Sequence, residues 1–327
     1  MEAKKLIFLT GVNSNLKGHE PSPNSFGGFL LEREFLSTSV VPKTEKLVCI
    51  DYSPSVGKEI KKLGLSPENC TLVHMEPSVV LPANYSGSRK RQFGTVITVG
   101  GIRSQVPSSV HWPLLWPSTS ELQKLHGTER TERVVVINGN KMSFIKEELY
   151  SLRRKAIKSV GNLDLFGTQW DSEFASRLII AFKSLAQAVL SLKLPRLSGL
   201  NLWFQNYPKS KGPVDDKLKT MSEYKYALVI ENSAEYMSEK LMDSLFAGCI
   251  PVYVGPDPEE FGIPKDLVIR AQPSLHSIQE ALLEAEGWNM NEFHARLGAF
   301  LGSSDVRDLW DHTRVYERLL EKIQTSN

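Results

Sequence analysis

The sequence predicts an α/β protein with parallel sheets, and three observations carry that expectation. Short runs such as "LIFLTG", "KLVCID", "TLVHM" and "GTVITVG", and later "RVVVING", "YALVIEN", "IPVYVG" and "LVIRA", are apolar on both faces. A strand that hides both faces belongs to a parallel sheet covered on each side by helices. Segments with helical patterning alternate with these runs: "FGGFLLEREFL", "FIKEELYSLRRKAIKSV", "FASRLIIAFKSLAQAVLSL", "SEKLMDSLFAG", "LHSIQEALLEAEG" and the final "DVRDLWDHTRVYERLLEKIQ". Strand and helix in alternation is the signature of layered α/β architecture. Finally, the polar stretch "WPSTSELQKLHGTERTER" separates the first four strands from a fresh strand at "VVVING". The chain therefore divides into two α/β units, about 1–125 and 126–305, with the last helix, 306–327, expected to pack back on the first unit.

Composition narrows the function. The 327 residues are 41% hydrophobic and 23% charged, an ordinary globular mixture with ample chain for a core. Thirty-nine basic and 37 acidic residues leave a formal net charge of +2, which gives no reason to expect nucleic acid or an anionic membrane as the main partner. No run of apolar residues is long enough for an integral membrane segment, and the Leu6 to Leu9 run is too short for a signal-peptide core. Three scattered cysteines, Cys49, Cys70 and Cys249, read as buried hydrophobes in a reducing compartment, so a cytoplasmic location is expected.

The stretch Tyr224 to Gly255, "YKYALVIENSAEYMSEKLMDSLFAGCIPVYVG", concentrates the chemistry. Its first strand delivers Glu231 and Asn232 to a carboxyl end, the edge at which open α/β sheets bind ligands. Ser238 is placed to cap a helix whose first residues are Glu239 and Lys240. A helix N-terminus with a lysine suits a phosphate, whereas a carboxylate there suits sugar hydroxyls. A ligand carrying both is a nucleotide sugar.

This stretch, with Tyr236 and the "SEKLMDSLFAGCIPVYVGPDP" that follows, resembles the signature of the α1,3/α1,4-fucosyltransferases, glycosyltransferase family 10. The dense part covers about 50 residues, and a weaker likeness extends back to "VVVINGN", "ELYSLRR" and "LDLFG". The resemblance implies a GT-B fold, two Rossmann-like domains facing a central cleft, an N-terminal one for the acceptor and a C-terminal one for the donor. It implies inverting transfer of fucose from GDP-fucose, with no obligatory metal or other cofactor. It places Glu231, Asn232, Tyr236, Glu239 and Lys240 at the donor. The family's donor-binding arginine falls on Lys146, which keeps the charge and loses the bidentate fork, and Arg153 and Arg154 are candidates to compensate. The loop between Asn232 and Tyr236 is two residues shorter than in typical members.

Inversion requires a base for the acceptor hydroxyl. In the family this is a glutamate after an N-terminal strand, and "TLVHMEPSVVLP" makes Glu76 the candidate, in the order Glu-Pro-Ser where the family has Glu-Ser-Pro. Taken alone, Glu76 would read as an exposed glutamate before a turn proline, and it is the signature downstream that makes it the candidate base. His74 could orient Glu76, replace it as base or touch the acceptor, although a lone histidine in a strand is ordinarily structural. Trp112 and Trp116 of "HWPLLWP" are candidates to stack on an acceptor sugar. "SKGPVDDK", Ser210 to Lys217, reads as a solvated polar loop, and its Val214 to Asp216 lacks the buried strand that an Asp-x-Asp metal site needs. No Cys/His metal spacing or phosphate-loop motif occurs. The expected protein transfers fucose from GDP-fucose to a glycan hydroxyl. The alternatives are a transferase using another nucleotide sugar and a non-catalytic glycan-binding protein on the same fold.

Overall fold

The computed structural model describes residues 6–10, 26–33, 36–37, 46–52, 54–101, 129–190, 195–303, 306 and 312–325. Among them are two five-stranded sheets. The first contains β1 (Leu6–Thr10), β2 (Leu36–Ser37), β3 (Lys46–Ile50), β4 (Cys70–His74) and β5 (Thr95–Thr98) in the order β2-β1-β3-β4-β5. The second contains β6 (Thr131–Ile137), β7 (Leu163–Phe166), β8 (Tyr224–Ile230), β9 (Ile250–Val254) and β10 (Ile269–Arg270) in the order β10-β9-β8-β6-β7. Every pairing is parallel. Counted from its own first strand, each sheet runs 2-1-3-4-5. The chain therefore reverses direction across the sheet once in each half, between β1 and β3 and between β6 and β8.

The apolar runs read from the sequence are these strands, and β3, β4, β8 and β9 are buried almost throughout. The short strands β2 and β7 were not foreseen, nor were the helices Pro54–Leu63, Lys217–Ser222 and Met290–Gly302. One foreseen helix is shorter at its start. The pattern from Phe144 predicts helix, yet the helix spans Tyr150–Ser159. The Leu149 N–H is committed to the Asn232 carbonyl at 3.0 Å, and Glu148 bridges Ser233, so the chain before Tyr150 is a turn tied to the loop after β8.

The core of the second sheet is continuous from Val134 to Val306. In the first unit Phe26, Phe29 and Leu30 pack with Val48, Val73 and Ile97 against Val315, Tyr316, Leu319 and Ile323 of the C-terminal helix His312–Thr325. The ring centroids of Phe26 and Phe29 lie 5.2 and 5.3 Å from that of Tyr316. Fully burying each of these side chains stabilises the fold by ~2 kcal/mol. The three cysteines are free and buried, as apolar filler is.

The two sheets meet through the loops at their carboxyl ends. Gly101 forms an antiparallel bridge with Tyr236, the Met237 N–H donates to the Gly100 carbonyl at 3.0 Å, and the Tyr236 hydroxyl donates to the Met75 carbonyl at 2.5 Å. Gly100 sits at φ +73, where a Cβ would stand 2.7 Å from the Met237 carbonyl oxygen, so this close backbone approach requires glycine. A second seam is apolar: Val79 of the first unit packs with Phe144, Ile145, Tyr150 and Ala188.

Candidate active site

A cavity of about 360 Å³ opens between the sheets. It lies at the carboxyl ends of β6, β7 and β8, lined there by Ile137 to Gly139, by Gly167 and Thr168, and by Asn232. This is where the strand order reverses, so the loops after β6 and β8 diverge and leave room for a ligand. Glu76 reaches the same cavity from the end of β4 in the other sheet. Tyr236, Ser238, Glu239 and Lys240 line it from the loop after β8, and Lys141, Arg153, Pro213, Val214 and Lys217 complete the wall.

Lys141, Arg153, Lys217 and Lys240 face two carboxylates, Glu76 and Glu239, so the lining carries a formal charge of +4 − 2 = +2. Glu239 is one-third exposed and lies 3.8 Å from the Lys217 ammonium. Burial works to raise its carboxyl pKa, but Lys240 and then Lys217 outweigh that and hold it below the ordinary range. Lys217 also bonds Asp243. Burial would lower the Lys217 pKa; Asp243 and Glu239 together reverse this and keep the ammonium charged. Glu76 behaves in the opposite sense. Burial raises its pKa, Lys141 and Lys240 pull it back in part, and Glu239 adds to the rise.

Glu231 is wholly buried and does not line the cavity. Its two carboxylate oxygens accept the Ser238 N–H at 3.0 Å and the Ser238 hydroxyl at 2.6 Å, and the Lys240 ammonium lies 3.5 Å away. The turn into the Lys240–Phe246 helix is thus already occupied by a protein carboxylate, and the cavity's positive charge comes from side chains. That helix ends at Gly248, at φ +72, where the left-handed backbone turns the chain into β9.

The other expected site residues differ in where they stand. Lys146 is exposed, in the turn before the late-starting helix, and Lys141 supplies the cation on the cavity wall in its place. Arg153 lines the cavity while donating to the carbonyls of Ile230 and Glu231 and, at 3.3 Å, to Asn232 Oδ1, so it fixes the end of β8 and orients that amide. Arg154 is buried away from the cavity. It donates to the Lys141 carbonyl at 2.6 Å and lies over the Trp203 ring, so it shapes the loop that carries Lys141. His74 is completely buried, bonded through Nδ1 to Thr98 at 3.2 Å and packed at a tilt against the Tyr85 ring. Burial, and next the Lys90 charge, push its pKa down to about 3, which makes it a weak base, and its burial keeps it off the cavity wall. Trp112 and Trp116 lie outside the described residues.

The loop read as a solvated turn is part of the wall: Pro213, Val214 and Lys217 all face the cavity, and Asp216 caps the Lys217–Ser222 helix through the Lys219 N–H at 2.9 Å. Beneath Glu76 is a group of side chains that the sequence reading did not single out. Asp51, at φ +54 just after β3, accepts the N–H groups of Met75 at 2.9 Å and Glu76 at 3.2 Å and the Asn84 amide at 2.6 Å, all through Oδ1. The Tyr85 hydroxyl donates to the Glu76 carbonyl at 3.2 Å. Among the described residues no group of histidine, cysteine and carboxylate side chains is arranged to hold a metal ion, and no helix is long and apolar enough to cross a membrane.

No protein-family model and no curated protein matches the sequence. Solved structures do match the fold. A crystal structure of an α1,3-fucosyltransferase superposes with a TM-score of 0.53 over 99% of this chain and 89% of that one, at 12% identity. The same enzyme type with GDP gives 0.52 at 11% identity, over 99% and 91% of the two chains. Anabaena Alr3699/HepE, in complex with UDP and glucose, gives 0.57 at 8% identity over 99% of this chain and all of that one. The chain has the GT-B fold of these glycosyltransferases, two Rossmann-like sheets with a cleft between their carboxyl ends.

Proposed function

We propose that the protein is an inverting glycosyltransferase that moves a sugar, fucose in the reading we favour, from a nucleoside diphosphate to a glycan hydroxyl. The observation that supports this most is the cleft itself. One carboxylate, Glu76, comes from the end of a strand in the first sheet, and a cluster of cations with Glu239 comes from the second. Neither half makes a site alone.

In the proposed step the acceptor oxygen attacks the anomeric carbon as the bond to the diphosphate oxygen breaks on the opposite side. Glu76 takes the hydroxyl proton, and its raised pKa suits it to that role. Negative charge grows on the departing diphosphate, and Lys240, Lys141 and Lys217 neutralise it. Glu239, kept ionised, accepts hydrogen bonds from donor hydroxyls, and Asn232 contributes its amide. Tyr236 walls the site while its hydroxyl is committed to Met75, so it holds the two halves together. The lysines supply the charge that a metal would otherwise carry, and metal independence is part of the proposal, tested by turnover after exhaustive chelation. The first unit would take the acceptor and the second the donor.

GDP-fucose is favoured as donor on the resemblance of the Tyr224 to Gly255 stretch together with the fold likeness to an α1,3-fucosyltransferase that binds GDP. The likeness to a protein holding UDP and glucose keeps a second nucleotide in the test. The experiment is transfer to a glycan array followed by mass spectrometry, with GDP-fucose and UDP-glucose as parallel donors, for the wild type and Glu76→Gln. Transfer of fucose by the wild type, its loss in Glu76→Gln and unchanged GDP affinity are expected. Transfer from UDP-glucose instead would replace the donor. Loss of nucleotide affinity together with turnover would remove Glu76 from the role of base.

A further inference from the structure

We infer that Asp51 is a positioning residue for the base. The inference rests on the assignment of Glu76 made above and adds a residue that neither touches the cavity nor belongs to the stretch that pointed to the function. All four backbone polar groups of the Met75–Glu76 pair are held by side chains. Both N–H groups donate to Asp51 Oδ1, the Met75 carbonyl accepts from Tyr236, and the Glu76 carbonyl accepts from Tyr85. A chain leaving a sheet normally gives these groups to water or to a turn of its own. Here the dipeptide that carries the base is clamped on every side, and its side chain alone is left to move.

Asp51 is the corner of this clamp that the fold has shaped most deliberately. Its N–H still continues the ladder, donating to Val73 at 2.9 Å. At φ +54 the backbone then turns into the left-handed region, uncommon for a residue with a side chain but one that aspartate tolerates better than most. The turn aims the carboxylate across the end of the neighbouring strand β4. The carboxylate is 2% exposed and is braced by the Asn84 amide, whose oxygen accepts the Tyr52 N–H in turn. Asp51 therefore sets where the Glu76 Cα stands relative to the second sheet. A displacement of ~1 Å at a reacting group lowers rates by ~100-fold, so this placement bears on the chemical step.

The test compares Asp51→Gly and Asp51→Asn with Glu76→Gln in the same transfer assay. Glycine adopts φ +54 without strain and removes the acceptor; asparagine tolerates the same backbone and keeps one carbonyl acceptor. Asp51→Gly should lower kcat by ~10- to 100-fold, with donor KM and GDP affinity within ~3-fold of the wild type, because the second sheet that holds the nucleotide is untouched. Asp51→Asn should recover most of that loss. The inference is overturned if Asp51→Gly keeps kcat within ~3-fold of the wild type, if kcat and GDP affinity fall together, or if asparagine rescues nothing. Should Asp51→Gly fail to fold, Asn84→Ala replaces it: loss of the brace must lower kcat with GDP affinity kept, and an unchanged kcat overturns the inference. An active Glu76→Gln removes the base and this inference with it. An inactive Glu76→Gln beside a fast Asp51→Gly removes this inference alone.

Discussion

Replacing Asp51 by asparagine should change how the stability of the whole protein depends on pH. Burial raises the Asp51 pKa from 3.8 to about 7, against the N–H bonds from Met75 and Glu76, which lower it, the nearby Glu76 charge, which raises it, and the Asn84 bond, which lowers it. The unfolded chain releases this proton near 3.8 and the folded chain only near 7. Between those values the folded state binds more protons, so stability is greatest below 3.8 and declines as pH rises to about 7. Each pH unit in the window is worth about 1.4 kcal/mol, which sums to about 4 kcal/mol over the full range and about 3 kcal/mol between pH ~5 and pH ~8. Asparagine has no proton to release. Measured by urea denaturation, the wild type should lose about 3 kcal/mol relative to Asp51→Asn on going from pH ~5 to pH ~8. Of the groups around Asp51, Glu76 is itself raised by burial and acts in the same direction, while Tyr85 is raised beyond this window, as is the Cys49 thiol, which donates to the Asp51 carbonyl; His74, lowered to about 3, acts in the opposite direction in both proteins and cancels in the comparison. A stability difference that stays constant across this range would show that Asp51 is ionised in the fold at all these pH values, and the reasoning would fail.

Two further outcomes follow from the same site. The rate of transfer should fall on the acid side with an apparent pKa above the ordinary glutamate value of 4.5, because burial raises Glu76 and the base must be ionised; a pH–rate profile with its acid limb at or below 4.5 argues against Glu76 as the base. Gly100→Ala should destabilise the protein by ~1–3 kcal/mol in thermal or urea denaturation, since the new methyl would meet the Met237 carbonyl at a positive φ, and an unchanged midpoint would mean that the seam between the sheets has slack.

What the sequence discloses about this site depends on whether the chemistry is local. The loop after β8 is legible because one strand, one turn and one helix place Asn232, Tyr236, Glu239 and Lys240 within a few residues of each other. Glu76 is legible as the carboxylate at a strand end. Lys217, Lys141 and Asp51 are not. Lys217 follows β7 by some fifty residues and reaches the cavity only because the Asp216 cap starts a short helix there. Lys141 faces inward because Arg154, buried one helix away, holds its carbonyl. A lysine in a loop carries no signal of either fact. Lys146 fails for the converse reason. Alignment by spacing places it in a helix, but the bond from Leu149 to Asn232 delays the helix and turns Lys146 to solvent. Asp51 reads as the polar end of a buried strand, and nothing in "KLVCID" predicts that its backbone will be left-handed.

The proposed base and the proposed donor site share their charges, and that sharing gives the cleft its logic. Lys141 and Lys240 work against burial in setting how tightly Glu76 holds a proton. In the proposed complex a diphosphate lies among the same lysines and cancels part of their field. Glu76 then binds a proton more strongly with donor in place than without it, so the base gains strength at the moment a proton has to be taken. Such coupling works only if the two sheets keep their spacing. The Tyr236 hydroxyl on the Met75 carbonyl and the Gly101 bridge supply that constraint from the donor side, as Asp51 does from the base side. Tyr236 thus belongs to both halves of the proposed mechanism: it walls the proposed donor cavity, and it clamps the dipeptide that carries the proposed base.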